Sequence, residues 1–157
     1  MKETNRLDEL VTKYENTLFR AALAILGDVP EAEDAVQDAF LRYLEKAPDL
    51  RDEGHERAWL LKVTANGCKS RLRAARRRPA VELLDIYPAP EEGSREVLEA
   101  VLALPANQRA AVHLYYFEGY STGEIAAMLG QRPGTVRSHL SRARESLRRE
   151  LKGEIEL

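Results

Sequence analysis

From Gly119 to Arg144 the chain has few ways to fold. Ser121-Thr122-Gly123-Glu124 has the spacing of a capping box, in which hydroxyl and carboxylate reciprocally satisfy backbone donors, so a helix should begin here. Gly130 stops that helix after Leu129. Pro133, with its fixed φ, suits the first position of a second helix running to Leu151. The outcome is helix, short glycine-containing turn, helix. Ile125, Ala126, Leu129, Val136 and Leu140 can form the small core that sets the two helices at a steep angle. The second helix then presents Arg137, Ser138, Ser141 and Arg142 on one exposed face able to enter a major groove. Thr135 at its positive N-terminal end, Arg132 in the turn and Arg144, Arg148 and Arg149 further along suit phosphate contacts.

The rest of the chain is also helical in pattern, so the expected fold class is all-α. Leu7, Leu10, Val11, Tyr14, Leu18, Ala21 and Ile25 keep helical spacing, and Gly27 supplies a stop. Asp28 can cap a second helix with a buried stripe of Ala32, Ala35, Val36, Ala39, Phe40, Tyr43 and Leu44, ending before Pro48. A third helix is expected from about His55 to Arg76, with Ala58, Leu61, Ala65, Cys68 and Leu72 inward. Pro79, Pro88 and Pro90 among four acids break the pattern and read as a linker to Gly93. Two small helical domains follow, residues 1–78 and 94–157, joined by residues 79–93. Val81, Leu83, Leu84 and Ile86 leave open that the linker docks on one domain. Ser94 can cap a short helix through Leu104, and Pro105 can open another carrying Ala106 to Glu118.

A formal charge of −2 argues against a generic polyanion binder, but its distribution does not. Lys62, Lys69, Arg71, Arg73, Arg76, Arg77 and Arg78 follow one another with no acid between them. The turn and last helix together carry six arginines from Arg132 to Arg149, opposed only by Glu145. Two nucleic-acid contacts are suggested. The single cysteine, Cys68, excludes an internal disulfide and a zinc site of the usual kind, and should be a small buried apolar group. His55, His113 and His139 are scattered, no phosphate loop is present, and no nucleophile stands at a useful spacing from a base, so no catalytic residue, metal or cofactor is expected. The longest apolar run, Ala21 to Leu26, is far too short to cross a bilayer, which favours a cytoplasmic protein without membrane insertion.

Several segments together resemble the extracytoplasmic-function group of the sigma-70 family. Leu104-Pro105 with Arg109, Glu118-Gly119-Tyr120-Ser121, Glu124-Ile125-Ala126, Gly134-Thr135-Val136-Arg137-Ser138 and Ser141-Arg142-Ala143-Arg144 are similar to sigma region four. Gly27-Asp28, Ala32 to Leu41, and Arg57-Ala58-Trp59-Leu60 are similar to sigma region two. A helix-turn-helix alone says little, whereas both halves in this order and at this separation are highly specific.

The resemblance implies an alternative sigma factor that directs core RNA polymerase to promoters by recognising −35 and −10 elements. It implies that the helix holding Asp34, Gln37, Asp38 and Leu41 docks on the coiled coil of the largest polymerase subunit, with the flap as a second contact, and that an anti-sigma protein is a further partner. It implies that Asn66 lies where a base flipped from the −10 element is held, with Trp59 flanking the opening strand. Lys69, Arg73, Arg76 and Arg77 would then hold backbone phosphates. The sequence departs from the family in its turn, where Gln131-Arg132-Pro133 exchanges a side-chain cap worth about 1 kcal/mol for a preorganised proline. The competing reading is a helix-turn-helix regulator acting without holoenzyme formation, which the basic third helix with Trp59 and Asn66 disfavours.

Overall fold

The structure, a computed structural model, describes residues 2–46, 48–74 and 94–151. The expected linker, with Arg76 and Arg77 beside it, lies outside the described residues. Three helices make the front half: α1 (Lys2–Leu26), α2 (Val29–Lys46) and α3 (Glu53–Ala74). The rear half holds α4 (Ser94–Leu102), α5 (Ala106–Val112), a π-helical turn (His113–Phe117), α6 (Thr122–Leu129) and α7 (Pro133–Leu151). No strand occurs among the described residues.

Local chemistry explains the boundaries. Gly27 adopts φ 69° after α1, and its N–H donates to the Leu23 carbonyl at 2.7 Å, the left-handed stop that other residues resist. Asp28 Oδ1 accepts from the Glu31 N–H at 2.9 Å and so caps α2. Asp52 does the same for α3, accepting from the His55 N–H at 2.8 Å, which starts that helix two residues before the expected His55. The Ser121–Glu124 capping box is closed in both directions, at 2.9 and 3.1 Å. Gly130 follows at φ 64°. Ser94, expected as a cap, lies inside α4, which ends at Leu102 rather than Leu104.

The front half is an antiparallel three-helix bundle around Leu10, Tyr14, Leu18, Val36, Phe40, Leu61 and Ala65. In the rear, α4, α5 and α6 all pack on α7. The halves also pack on each other, α6 against α3 and α5 against α1. That second packing explains why Leu60 and Thr64, off the expected stripe of α3, are both 0% exposed. The Thr64 hydroxyl is satisfied by donating to the Leu60 carbonyl at 2.8 Å. Cys68 is fully buried as expected, and burial pushes its thiol up to about 12.

Two further expectations fail. Leu44, placed in the buried stripe of α2, is 43% exposed two residues before the helix ends at Lys46, one turn beyond the buried Phe40. The expected continuous helix from Ala106 to Glu118 changes pitch at His113, where the Glu118 N–H donates five residues back to the His113 carbonyl at 3.1 Å. The wider turn brings the Glu118 carboxylate 3.1 Å from the His113 ring and turns Tyr116 and Phe117 outward.

Candidate nucleic-acid interface

Buried residues recur on α7 at Val136, Leu140, Ala143, Leu147 and Leu151, which is one helical face. The opposite face is thereby set outward. Thr135, Arg137, Ser138, Ser141 and Arg142 are all exposed, as is Arg132 in the turn. The Arg132 carbonyl accepts from the Thr135 and Val136 N–H groups at 2.9 and 3.2 Å, so α7 begins cleanly without a side-chain cap. His139 is half-buried beside this face. Burial and the nearby Arg142 charge hold its pKa below the ordinary imidazole value. The exposed cations on the face are Arg137 and Arg142, with Arg132 beside them, and arginine is the side chain whose planar fork matches guanine and phosphate oxygens.

Arg144 stands apart from that group. Its Nε donates to the Tyr116 hydroxyl at 2.8 Å, and its guanidinium lies 5.7 Å from the ring centres of both Tyr115 and Tyr116. The aromatic turn fixes it in place. Tyr116 and Phe117, 43% and 48% exposed, form an apolar surface on that turn.

In the front half a groove of about 470 Å³ runs between α2 and α3. Ala35, Ala39, Val63 and Gly67 give it a small apolar floor, while Arg42, Asn66 and Ser70 give it a polar rim. Asn66 is exposed there, as expected. Arg42 and Ser70 were missed by the sequence reading, although each lies four residues beyond a residue it did single out, Asp38 and Asn66. Arg71 closes one end by donating to Asp38 Oδ2 at 2.5 Å and approaching Glu31 at 3.5 Å. Its pKa is raised chiefly by that Asp38 bond.

The remaining front residues divide. Trp59 is half-buried on the other side of α3, edge-on to Tyr43 with ring centres 6.2 Å apart, and it borders the cleft facing Ala127 and Met128 of α6. Lys69 also faces the rear half, donating from Nζ to the Leu129 carbonyl. Neither shares the Asn66 groove. Arg73 lies on α3, and its side chain is outside the described residues.

On α2, Asp34, Gln37, Asp38 and Leu41 are exposed in a row at helical spacing, Leu41 at 55%. Leu41 and Gln37 edge a shallow groove against Leu7 and Val11 of α1. Leu44, one turn beyond Leu41, extends the exposed apolar surface. Of that row, Asp38 alone has an ion partner among the described residues, Arg71. Among the described residues no helix is long and apolar enough to cross a membrane, and no group of three His, Cys, Asp or Glu could hold a metal.

Comparison with known proteins matches each half to a family model: residues 10–78 to "Sigma-70 region 2" and residues 94–147 to "Sigma-70, region 4". The chain is 36% identical over 147 residues to the ECF RNA polymerase sigma factor SigM of Mycobacterium tuberculosis, covering 90% of this chain and 75% of that protein. It is 33% identical over 150 residues to SigL of the same organism, covering 88% and 85%. In fold it is similar to the sigma factor RpoE of Bartonella quintana, solved in complex with the anti-sigma factor NepR, with a TM-score of 0.72, 24% identity and coverage of 99% and 100%.

Proposed function

The chain belongs to the extracytoplasmic-function sigma factors of the sigma-70 family, and from that premise we propose how its surfaces divide the work of promoter recognition. The outward face of α7 reads the −35 element in the major groove, with Arg137, Ser138, Ser141 and Arg142 on base edges and Arg132 and Thr135 on phosphates. The α2–α3 groove takes an unpaired base of the −10 element. Opening duplex sacrifices roughly 1.4 kcal/mol of stacking per step. An apolar floor under a rim of Asn66, Ser70 and Arg42 returns part of that by burying the base and bonding its edge. Lys69, Arg73, Arg76 and Arg77 serve the strand's phosphates, and Trp59 braces α3 against Tyr43 of α2.

The row Asp34, Gln37, Asp38 and Leu41, extended by Leu44, is the surface for the coiled coil of the largest polymerase subunit. Tyr116 and Phe117 suit the flap. Catalysis belongs to the polymerase and the sigma chain supplies binding alone, in the cytoplasm where that enzyme works. RpoE of Bartonella quintana shares this fold and is held by an anti-sigma factor, which supports such a protein as a partner here too. Residues 1–78 and 94–157 form the two functional units, with residues 79–93 as the tether.

The observation that carries this reading is the face of α7, turned outward by its own buried stripe. Its test is in-vitro transcription of genomic fragments by purified core polymerase with the chain and with Arg142→Ala. Loss of a bidentate guanine contact should weaken promoter selection by about 1–3 kcal/mol. Unchanged start sites and affinity would remove Arg142 from the readout, and failure of the unaltered chain to join core would sink the whole assignment.

A further inference from the structure

Arginines that the fold fixes in place serve different ends. Arg109 is spent inside the protein: it donates from Nε to the Ala24 carbonyl at 2.6 Å and from its terminal nitrogens to the Leu104 and Ile25 carbonyls at 2.7 and 2.8 Å, and it is only 4% exposed. Arg57 is neutralised, donating to Glu118 Oε1 at 2.6 Å and to the Tyr120 hydroxyl at 2.9 Å. Arg144 is fixed by a hydroxyl and two aromatic rings, partners that leave its charge uncompensated. Tyr115 and Tyr116 stand edge to face, with ring centres 4.9 Å apart and planes at 75°. Neighbouring side chains on an ordinary helix diverge by about 100°. The wider π-helical turn narrows that angle, and both rings come to one guanidinium.

With Nε donating to the Tyr116 hydroxyl, the two terminal nitrogens remain, a fork that matches two oxygens of one phosphate. Position selects the ligand. Arg137, Ser141 and Arg144 recur at helical spacing along one face of α7, and Arg144 stands about 10.5 Å further along the axis than Arg137. A recognition helix reads bases with its N-terminal residues, in a major groove about 12 Å wide. A side chain that far along has reached the wall of the groove, where the acceptors are phosphate oxygens.

We infer that Tyr116, supported by Tyr115, is a positioning residue for DNA: it holds the Arg144 guanidinium ready for a backbone phosphate beside the groove that α7 reads. The inference rests on the promoter-reading assignment above. A free arginine side chain loses rotamer freedom when a phosphate captures it, which is equivalent to about two- to tenfold in affinity. In this chain that ordering is complete before DNA arrives.

The experiment is a double-mutant cycle of Tyr116→Phe and Arg144→Ala, with circular dichroism to verify retained helix. Tyr116→Phe keeps the ring and removes only the hydroxyl. Core polymerase saturated with each chain is titrated, over a range of salt, against a promoter fragment recovered in the transcription experiment above and against a copy with its −35 element scrambled. Arg144→Ala is expected to make the slope of log affinity against log salt shallower by about 0.9. Tyr116→Phe is expected to weaken binding about two- to tenfold, and each variant acts equally on both fragments. In the Arg144→Ala background, Tyr116→Phe is expected to change nothing. A loss that persists in that background belongs to the flap surface and overturns the positioning role, as does unchanged affinity of the Tyr116→Phe chain. An unchanged slope for Arg144→Ala, or a loss confined to the intact −35 element, overturns the phosphate contact. If the unaltered holoenzyme binds both fragments alike, the −35 assignment fails, and the same cycle still decides whether Tyr116 positions Arg144.

Discussion

Glu118 is a buried carboxylate held by two cationic or proton-donating side chains from different elements. Its carboxylate is buried between His113 and Arg57, and a buried charge is tolerated only with such partners. A pKa held below the ordinary value of 4.5 means that the folded state binds the proton less readily than the unfolded one. The resulting stabilisation is complete above about pH 5 and is lost as pH falls through the lowered value. Acid titration of the wild-type chain and of Glu118→Gln should therefore give curves that converge at low pH, with the variant less stable near neutrality. Parallel curves at every pH would show that the carboxylate's charge contributes nothing. At this same scale, sequence reading found the exposed arginines of α7 and Asn66, because a helical stripe fixes its own opposite face. It could not find the Arg57–Glu118 pair, whose members are 61 positions apart and meet only once two helices from different halves are docked.

Among the elements, those with a local signal were legible. The capping box at Ser121, the stop at Gly130 and the proline at 133 each act within one turn of themselves, and all three stand where the pattern put them. Replacing Ser121 with alanine removes the hydroxyl that accepts from the Glu124 N–H. The expected cost is about 1 kcal/mol, read from chemical denaturation. A change within experimental error would mean that tertiary packing, rather than the box, sets the start of α6. The π-helical turn was not legible, since His113 to Phe117 has ordinary helical spacing. What selects the wider pitch is the partner of residue 118, a tertiary fact. The exposure of Leu44 escaped for a related reason: periodicity tells which face of α2 is apolar, but not where its neighbours end.

For the whole molecule, the two families of contact lead to different expectations. Family resemblance treats the halves as separate units, whereas α3 packs on α6 and α1 on α5 in one continuous apolar cluster. Halves that share a core should melt together. Differential scanning calorimetry of the full chain is expected to show a single cooperative transition, with equal calorimetric and van't Hoff enthalpies. Two resolved transitions would show that the interface adds little to either half. The proposed division into reading surfaces does not depend on that result, because the α7 face and the α2–α3 groove are each formed within one half.

The Arg109 side chain that completes α1 comes 85 positions after the carbonyl it binds at Ala24. Ribosomes add roughly 5–20 residues each second, so the amino-terminal bundle emerges several seconds before its missing clasp has been made. During that interval its final carbonyls face water. A newborn chain thus passes through an unclasped stage that the finished protein revisits only when its interface is broken.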